Sequence, residues 1–349
     1  MTSVSWEELI EQGTAAQKDQ RNAEAERCFQ RALEVAESAT ARTPSQKLIE
    51  LGITELKDPR PILQSLTLEH LADLYASWQR RAQARDLYLK VLELRELHLG
   101  TAHPKVARTH FDLAGLLLSG EHYEEAEHHY VRAIEVGRSA LPPGDSDLAA
   151  MLHALGTLYV MRERFADAEP VLREAAAIRA SAQGREVFDR LATLNLLAQS
   201  CEENGKLEEA VTLLEQVLDL KSRHIGTEHR GVTRTLHDLS RCYEGSGRFQ
   251  DAFQCEKRAL DIHRHGSPAP SPALADGLRS LGRLSVHLGN YKGAAAHYEE
   301  CVAVLEQALG KQHRDLAEDL EYLVQLHEYL GDSQKSEAAR RRLARIIHE

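Results

Sequence analysis

Six alanines spaced 42 residues apart constrain this chain more than any other feature. Ala84, Ala126, Ala168, Ala210, Ala252 and Ala294 form the column, and Ser336 continues it. Thirteen residues earlier runs a leucine column: Leu71, Leu113, Leu155, Leu197, Leu239, Leu281 and Leu323. The residue after each leucine is mostly small: Ala72, Ala114, Gly156, Ala198, Ser240, Gly282 and then Val324. Four residues after each alanine stands a larger, mostly apolar residue: Tyr88, Tyr130, Leu172, Leu214, Glu256, Tyr298 and Arg340. A fixed period of this length marks stacked copies of one supersecondary unit, each burying its apolar face against its neighbours. The 349 residues therefore need not divide into two or three globular domains, as length alone would suggest.

Each unit reads as a pair of helices. Good helix formers dominate, and the alternation typical of strands is nearly absent. Leu152, Leu155, Leu158 and Tyr159 show the i, i+3, i+4, i+7 spacing of an apolar helical face. Gly205, Gly247, Gly289 and Gly331 mark the turn before the second helix, where a left-handed residue is favoured. The second helix carries the alanine column, whose small side chains let paired helices approach closely. Loops such as Gly100–Val106 (GTAHPKV) and Gly226–Val232 (GTEHRGV) close the unit, and the prolines of Ser267–Leu274 (SPAPSPAL) break helix.

These columns resemble the tetratricopeptide repeat (TPR). Gly156, Tyr159, Ala168, Leu172 and Ala175 follow the family's order of small, aromatic and alanine positions. The usual period is 34 residues. The 42-residue form, with Leu99, Gly100, His103, Pro104 and Val106 in the loop, is similar to the repeats of kinesin light chains. The resemblance implies an all-α, right-handed superhelical solenoid of about eight helix pairs. Residues 1–40 form a divergent first repeat, in which Gly13, Ala16, Ala25, Phe29 and Ala32 fit the pattern. Residues 41–65 form an insertion, with an extra helix expected near Pro44–Leu56 after Thr43 and ended before Pro59 and Pro61. Residues 66–349 hold seven contiguous repeats. The last is a cap, with Arg340–Arg342 on a solvated face.

Signals of catalysis are few. No nucleophile elbow, phosphate loop, dinucleotide fingerprint or metal-ligand spacing is present, so we expect no enzyme activity, no metal and no cofactor. His103, His229 and His313 share one loop position, better suited to capping or packing than to a metal. Cys28, Cys201, Cys242, Cys255 and Cys301 are widely spaced and include no C-x-x-C pair, which argues for a reducing compartment. A net charge of −11 disfavours non-specific nucleic-acid binding. With no secretory signal and no apolar run of membrane-spanning length, a cytoplasmic protein without membrane insertion is expected.

The resemblance implies that first helices line a concave groove where peptides bind. In the sixth repeat Leu236, Leu239, Ser240 and Tyr243 make the core face. Arg234, His237 and Arg241 centre roughly 140° away from it at 100° per residue. The seventh repeat contributes Arg279 and Arg283, and the fifth Asn195 and Gln199. Arg108 and Phe111 of the third repeat and His153 of the fourth occupy related positions. Arginine takes carboxylates in a bidentate fork. The expected function is a scaffold or adaptor that grips a peptide segment of a protein partner, acidic in character, through Arg234, Arg241, Arg279 and Arg283, with Asn195, Gln199 and His237 bonding its backbone or polar groups. The ion pairs available to Arg234 and Arg241 from Glu202, Glu203 or Glu244 are the competing reading of the same stripe. The asparagine pair of kinesin light chains is reduced here to Asn195, so the ligand's identity does not carry over. The alternatives are a self-assembling homo-oligomer, docking through its ends, and a regulatory sensor of a small peptide signal.

Overall fold

The structure, a computed structural model, describes residues 4–38, 48, 58–181, 186–266 and 271–347. Sixteen α-helices and no strands occur among the described residues. They fall into two compact units, Met1–Ser181 and Ala182–Glu349.

The first unit contains α1 (Trp6–Lys18), α2 (Asn22–Ser38), α3 (Arg60–Ser77), α4 (Arg81–Leu99), α5 (Pro104–Ser119), α6 (Tyr123–Ala140), α7 (Ser146–Met161) and α8 (Phe165–Ile178). The second contains α9 (Glu186–Glu203), α10 (Leu207–Ile225), α11 (Thr233–Gly245), α12 (Phe249–Gly266), α13 (Pro272–His287), α14 (Tyr291–Leu309), α15 (Leu316–Tyr329) and α16 (Ser333–Ile347). Within each unit an odd-numbered helix pairs with the next even-numbered one, and that second helix packs on the first helix of the following pair. The result is an all-α solenoid.

The two sequence columns are its spine. All six alanines are fully buried, and every leucine of the other column is at most 5% exposed. Glycine in the small column permits contact that no side chain would allow. A β carbon at Gly156 would lie 2.5 Å from Leu172, and one at Gly282 would lie 2.6 Å from Tyr298. The glycines of the later turns have φ between 71° and 76°. At the same repeat position earlier in the chain Gln79, Glu121 and Glu163 take φ of 60°, 62° and 56°. The left-handed turn is thus general, while glycine marks it only in the later repeats.

Caps account for the other boundaries. Ser5 and Glu8 form a reciprocal capping box at α1. The His103 ring accepts from the Lys105 amide at 3.1 Å, with Pro104 opening α5. His229 accepts from Gly231 at 2.9 Å and His313 from Asp315 at 3.3 Å, so the three loop histidines do one local job. Pro272 opens α13 behind the Ser271 cap, while residues 267–270 of that loop lie outside the described residues. Helix α3 opens at Arg60, inside the stretch assigned from sequence to the insertion, with Pro61 in its first turn. The extra helix expected near Pro44–Leu56 lies outside the described residues except for Leu48, which is helical and buried with Trp6, Leu9 and Ile62.

Candidate protein-interaction site

Four of the seven residues singled out from the sequence meet in one cleft. Asn195 and Gln199 of α9 and Arg234 and Arg241 of α11 line a space of about 710 Å³. Glu202, Glu203, Asp238 and Lys221 line it as well, so it is mixed in charge. Repeat geometry explains the assembly: consecutive first helices present the same face, and residues about 42 positions apart become neighbours.

Acidic neighbours decide the state of each arginine. Arg241 grips Glu202 with both ends of its fork, Nε to Oε1 at 2.5 Å and Nη2 to Oε2 at 2.8 Å, and approaches Asp238 at 3.2 Å. One repeat later Arg283 pairs with Glu244 at 3.0 Å, at the same 39-residue step. Arg279 is held hardest. It donates to both oxygens of the fully buried Asp319, at 2.7 and 2.9 Å, and to Asp276 at 2.8 Å. These hydrogen bonds keep the Arg279 and Arg241 guanidinium groups firmly protonated. Arg234 is different. Its side chain is 87% exposed, and Asp238, one turn along its own helix, is 3.9 Å away.

The polar residues divide similarly. The Asn195 amide donates to the Leu191 carbonyl of its own helix at 2.8 Å. Gln199 is exposed and makes no side-chain hydrogen bond among the described residues. His237 turns toward its own second helix, where Nδ1 meets Glu256 at 2.9 Å. That bond, opposed by burial and aided by the carboxylate charge, raises the imidazole pKa. Glu256 is 5% exposed at a position that Tyr88, Tyr130 and Tyr298 fill elsewhere, so His237 compensates a buried carboxylate.

Lys221 was missed by the sequence reading. It reaches the cleft from a second helix, donating to Thr235 at 2.8 Å, and burial lowers its pKa. The signal was available: Arg95, Arg179 and Lys221 share one position of the 42-residue period, with Gly137 between the first two. Arg95 shows how strongly that position engages the first helices. Only 1% exposed, it bonds both oxygens of Glu69 at 2.8 Å and the Thr109 hydroxyl at 2.7 Å. The equivalent face of the first unit is acidic, with a cleft of about 370 Å³ lined by Glu69, Asp73, Asp112 and Asp147 beside Lys105 and Arg108. Arg108 is bound there to Asp112 at 3.0 Å and lies 5.6 Å from the Phe111 ring centroid.

A tetratricopeptide repeat profile matches residues 63–139, 123–181 and 189–265, more than half of the chain, and a second tetratricopeptide repeat profile matches residues 274–315. The chain belongs to the tetratricopeptide repeat family. Among solved TPR-like folds, the apo form of RapI is 11% identical, with a TM-score of 0.54 over 98% of this chain and 97% of that one. The C-terminal part of a TPR repeat-containing protein from Cytophaga hutchinsonii is 15% identical, with a TM-score of 0.55 over 78% and 93%. Kinesin light chain TPR-like repeats from Podosopora anserina are 25% identical, with a TM-score of 0.49 over 58% and 95%. No curated protein matches the sequence.

As a TPR array the protein has the fold of a protein–protein interaction scaffold, built from stacked helix pairs that present side chains at a fixed spacing. No helix among the described residues is long and apolar enough to cross a membrane.

Proposed function

We propose that this TPR protein is an adaptor that holds an acidic peptide segment of a partner protein in the cleft between α9 and α11. The observation that carries the reading is the exposed, weakly paired Arg234 beside the free amide of Gln199 and the half-buried ammonium of Lys221. A peptide carboxylate approaching Arg234 replaces only water and a distant Asp238. Gln199 offers a donor and an acceptor to the peptide backbone. Arg241 contributes by releasing part of its bond to Asp238 while remaining anchored on Glu202. Arg279 and Arg283 act at the next junction, chiefly by keeping that face ordered through Asp319 and Glu244.

The test is fluorescence polarisation with a fluorescein-labelled hexaglutamate peptide at two salt concentrations. Saturable binding is expected, weakened at higher salt as screened charges require. Arg234→Glu is expected to lower affinity by about tenfold, since it exchanges an attractive contact for a repulsive one. Arg283→Ala, outside the cleft, is expected to change it much less. Binding that is indifferent to Arg234→Glu would sink the reading.

A further inference from the structure

At several junctions between successive pairs the chain plugs its own surface. The first residue of the second helix is Tyr123, Phe165, Leu207, Phe249 or Tyr291, 42 residues apart. Phe249 stacks on His287 with centroids 4.4 Å apart, Tyr291 meets Tyr329 at 4.3 Å, and the Tyr123 ring lies under the Arg162 guanidinium at 4.8 Å. A second large ring recurs on the first helix. Tyr75, Tyr159 and Tyr243 each donate a phenol hydrogen bond to a glutamate, while Arg80, Arg164 and Arg248 lie over the rings.

Both rings are missing where α4 meets α5. Arg81 stands in the first column and Leu117 in the second. His122 replaces the covering arginine, and Arg85 replaces Glu127, the acceptor for Tyr159. Gly120 adds no side chain of its own. What remains is a cleft of about 370 Å³ walled by Leu89, Leu116 and Leu117, with the three bases and Asp86 around it. Leu89 is 42% exposed at a position that Val131 fills in the next repeat and Arg173, Glu215, Lys257 and Glu299 fill in those after it. Among the described residues Arg81 has no ion pair and the His122 ring no hydrogen bond, while Arg85 reaches Glu125 at 2.7 Å.

We infer that this cleft docks an aromatic side chain of a partner protein segment, with a neighbouring carboxylate of that segment seated on Arg81 and Arg85. The ring takes the volume that the chain's own aromatics fill at other junctions. The exchange of Glu127 for Arg85 reverses the polar requirement, from an acceptor for a phenol to a donor for an acid. Arg81 also lies where a guanidinium can cover the face of the docked ring. The site lies wholly within the first unit and is independent of the α9–α11 cleft.

The probe is N-acetyl-L-phenylalanine, titrated into the full chain carrying methyl-labelled leucine and followed by NMR. Saturable shifts are expected at Leu89, Leu116 and Leu117. N-acetyl-L-alanine, which lacks the ring, is expected to leave them in place. The uncharged N-acetyl-L-phenylalanine amide is expected to bind about fivefold more weakly, as loss of an exposed charge contact implies. Arg81→Phe restores the chain's own plug and is expected to abolish the shifts without lowering the melting temperature. Leu89→Arg, at an exposed site, removes the wall by a second route. Absence of saturable shifts at these leucines overturns the proposal, as do shifts that persist unchanged in both variants.

Discussion

Replacing Arg95 by Met tests whether the buried ion pair of the first unit is held by mutual compensation. Arg95 is 1% exposed and Glu69 16% exposed, so removing the guanidinium leaves a carboxylate with little access to water. Breaking a buried pair from one side costs about 3–5 kcal/mol. The residual exposure of Glu69 points to the lower end, about 3 kcal/mol. Thr109 loses its donor partner but keeps its own bond to the Lys105 carbonyl at 2.8 Å, so the loss falls mainly on Glu69. With a urea dependence of about 1–3 kcal/mol per molar, the unfolding midpoint followed by circular dichroism is expected to fall by about 1 M or more. Arg95→Met combined with Glu69→Leu is expected to recover to within about 1 kcal/mol of the parent, because no buried charge remains. The pH dependence has a definite sign. Burial pushes the Glu69 pKa up, but the hydrogen bonds and charge of Arg95 outweigh it and hold the pKa below its ordinary value. The pair's contribution is therefore complete above the unfolded-state pKa of about 4.3 and is lost as pH falls through the lower folded value. Without Arg95, burial is opposed only by the smaller pulls of the Lys105 and His70 charges, so the variant's deficit is expected to grow as pH rises through the carboxylate range. A single variant that unfolds with the parent, or a double variant no better than the single, would refute the reasoning.

Three further outcomes are expected. Gly282→Ala places a β carbon 2.6 Å from the Tyr298 ring and is expected to cost about 1–3 kcal/mol in urea unfolding, whereas Gly115→Ala, with its nearest contact at 3.8 Å, is expected to cost little. Glu163→Gly relieves a left-handed residue at φ 56° and is expected to raise stability by about 0.5–1 kcal/mol, read as an increase in melting temperature. Burial pushes the Asp112 carboxyl up to about 6 against the pull of Arg108. Its ionisation therefore subtracts stability as pH rises from about 3.9 toward 6. A carboxyl carbon NMR titration is expected to show a midpoint near that upper value, and one at or below 4 would contradict the assignment.

The candidate site was only partly legible beforehand. Helical periodicity placed Asn195, Gln199, Arg234 and Arg241 on first helices, and the structure gathers these four in one cleft. The same angular argument treated Arg279 and His237 as equivalent to Arg234. An angle on one helix carries no information about the acid that a neighbouring helix supplies. Asp319 lies 40 residues from Arg279, and Glu256 lies on the opposite helix of the pair, 19 residues from His237. Lys221 enters from a second helix, whose reach into the cleft is not set by the periodicity of the first helices.

By itself the sequence determined the helix pair, its 42-residue repeat and the spine of alanine and leucine, because close packing at a fixed period tolerates only certain side-chain sizes at fixed positions. It also announced the turns, although Gln79 and Glu163 take the left-handed conformation without glycine to signal it. Tertiary structure alone decided which charges are satisfied and which remain available. It neutralised Arg279 on a buried Asp319, left Arg234 in solvent, and opened a cleft at Arg81 where other junctions close on aromatic rings. The physical reason is range. Helix formation and packing periodicity are set by residues a few positions apart, whereas charge pairing and cavity formation depend on side chains that only stacking brings together.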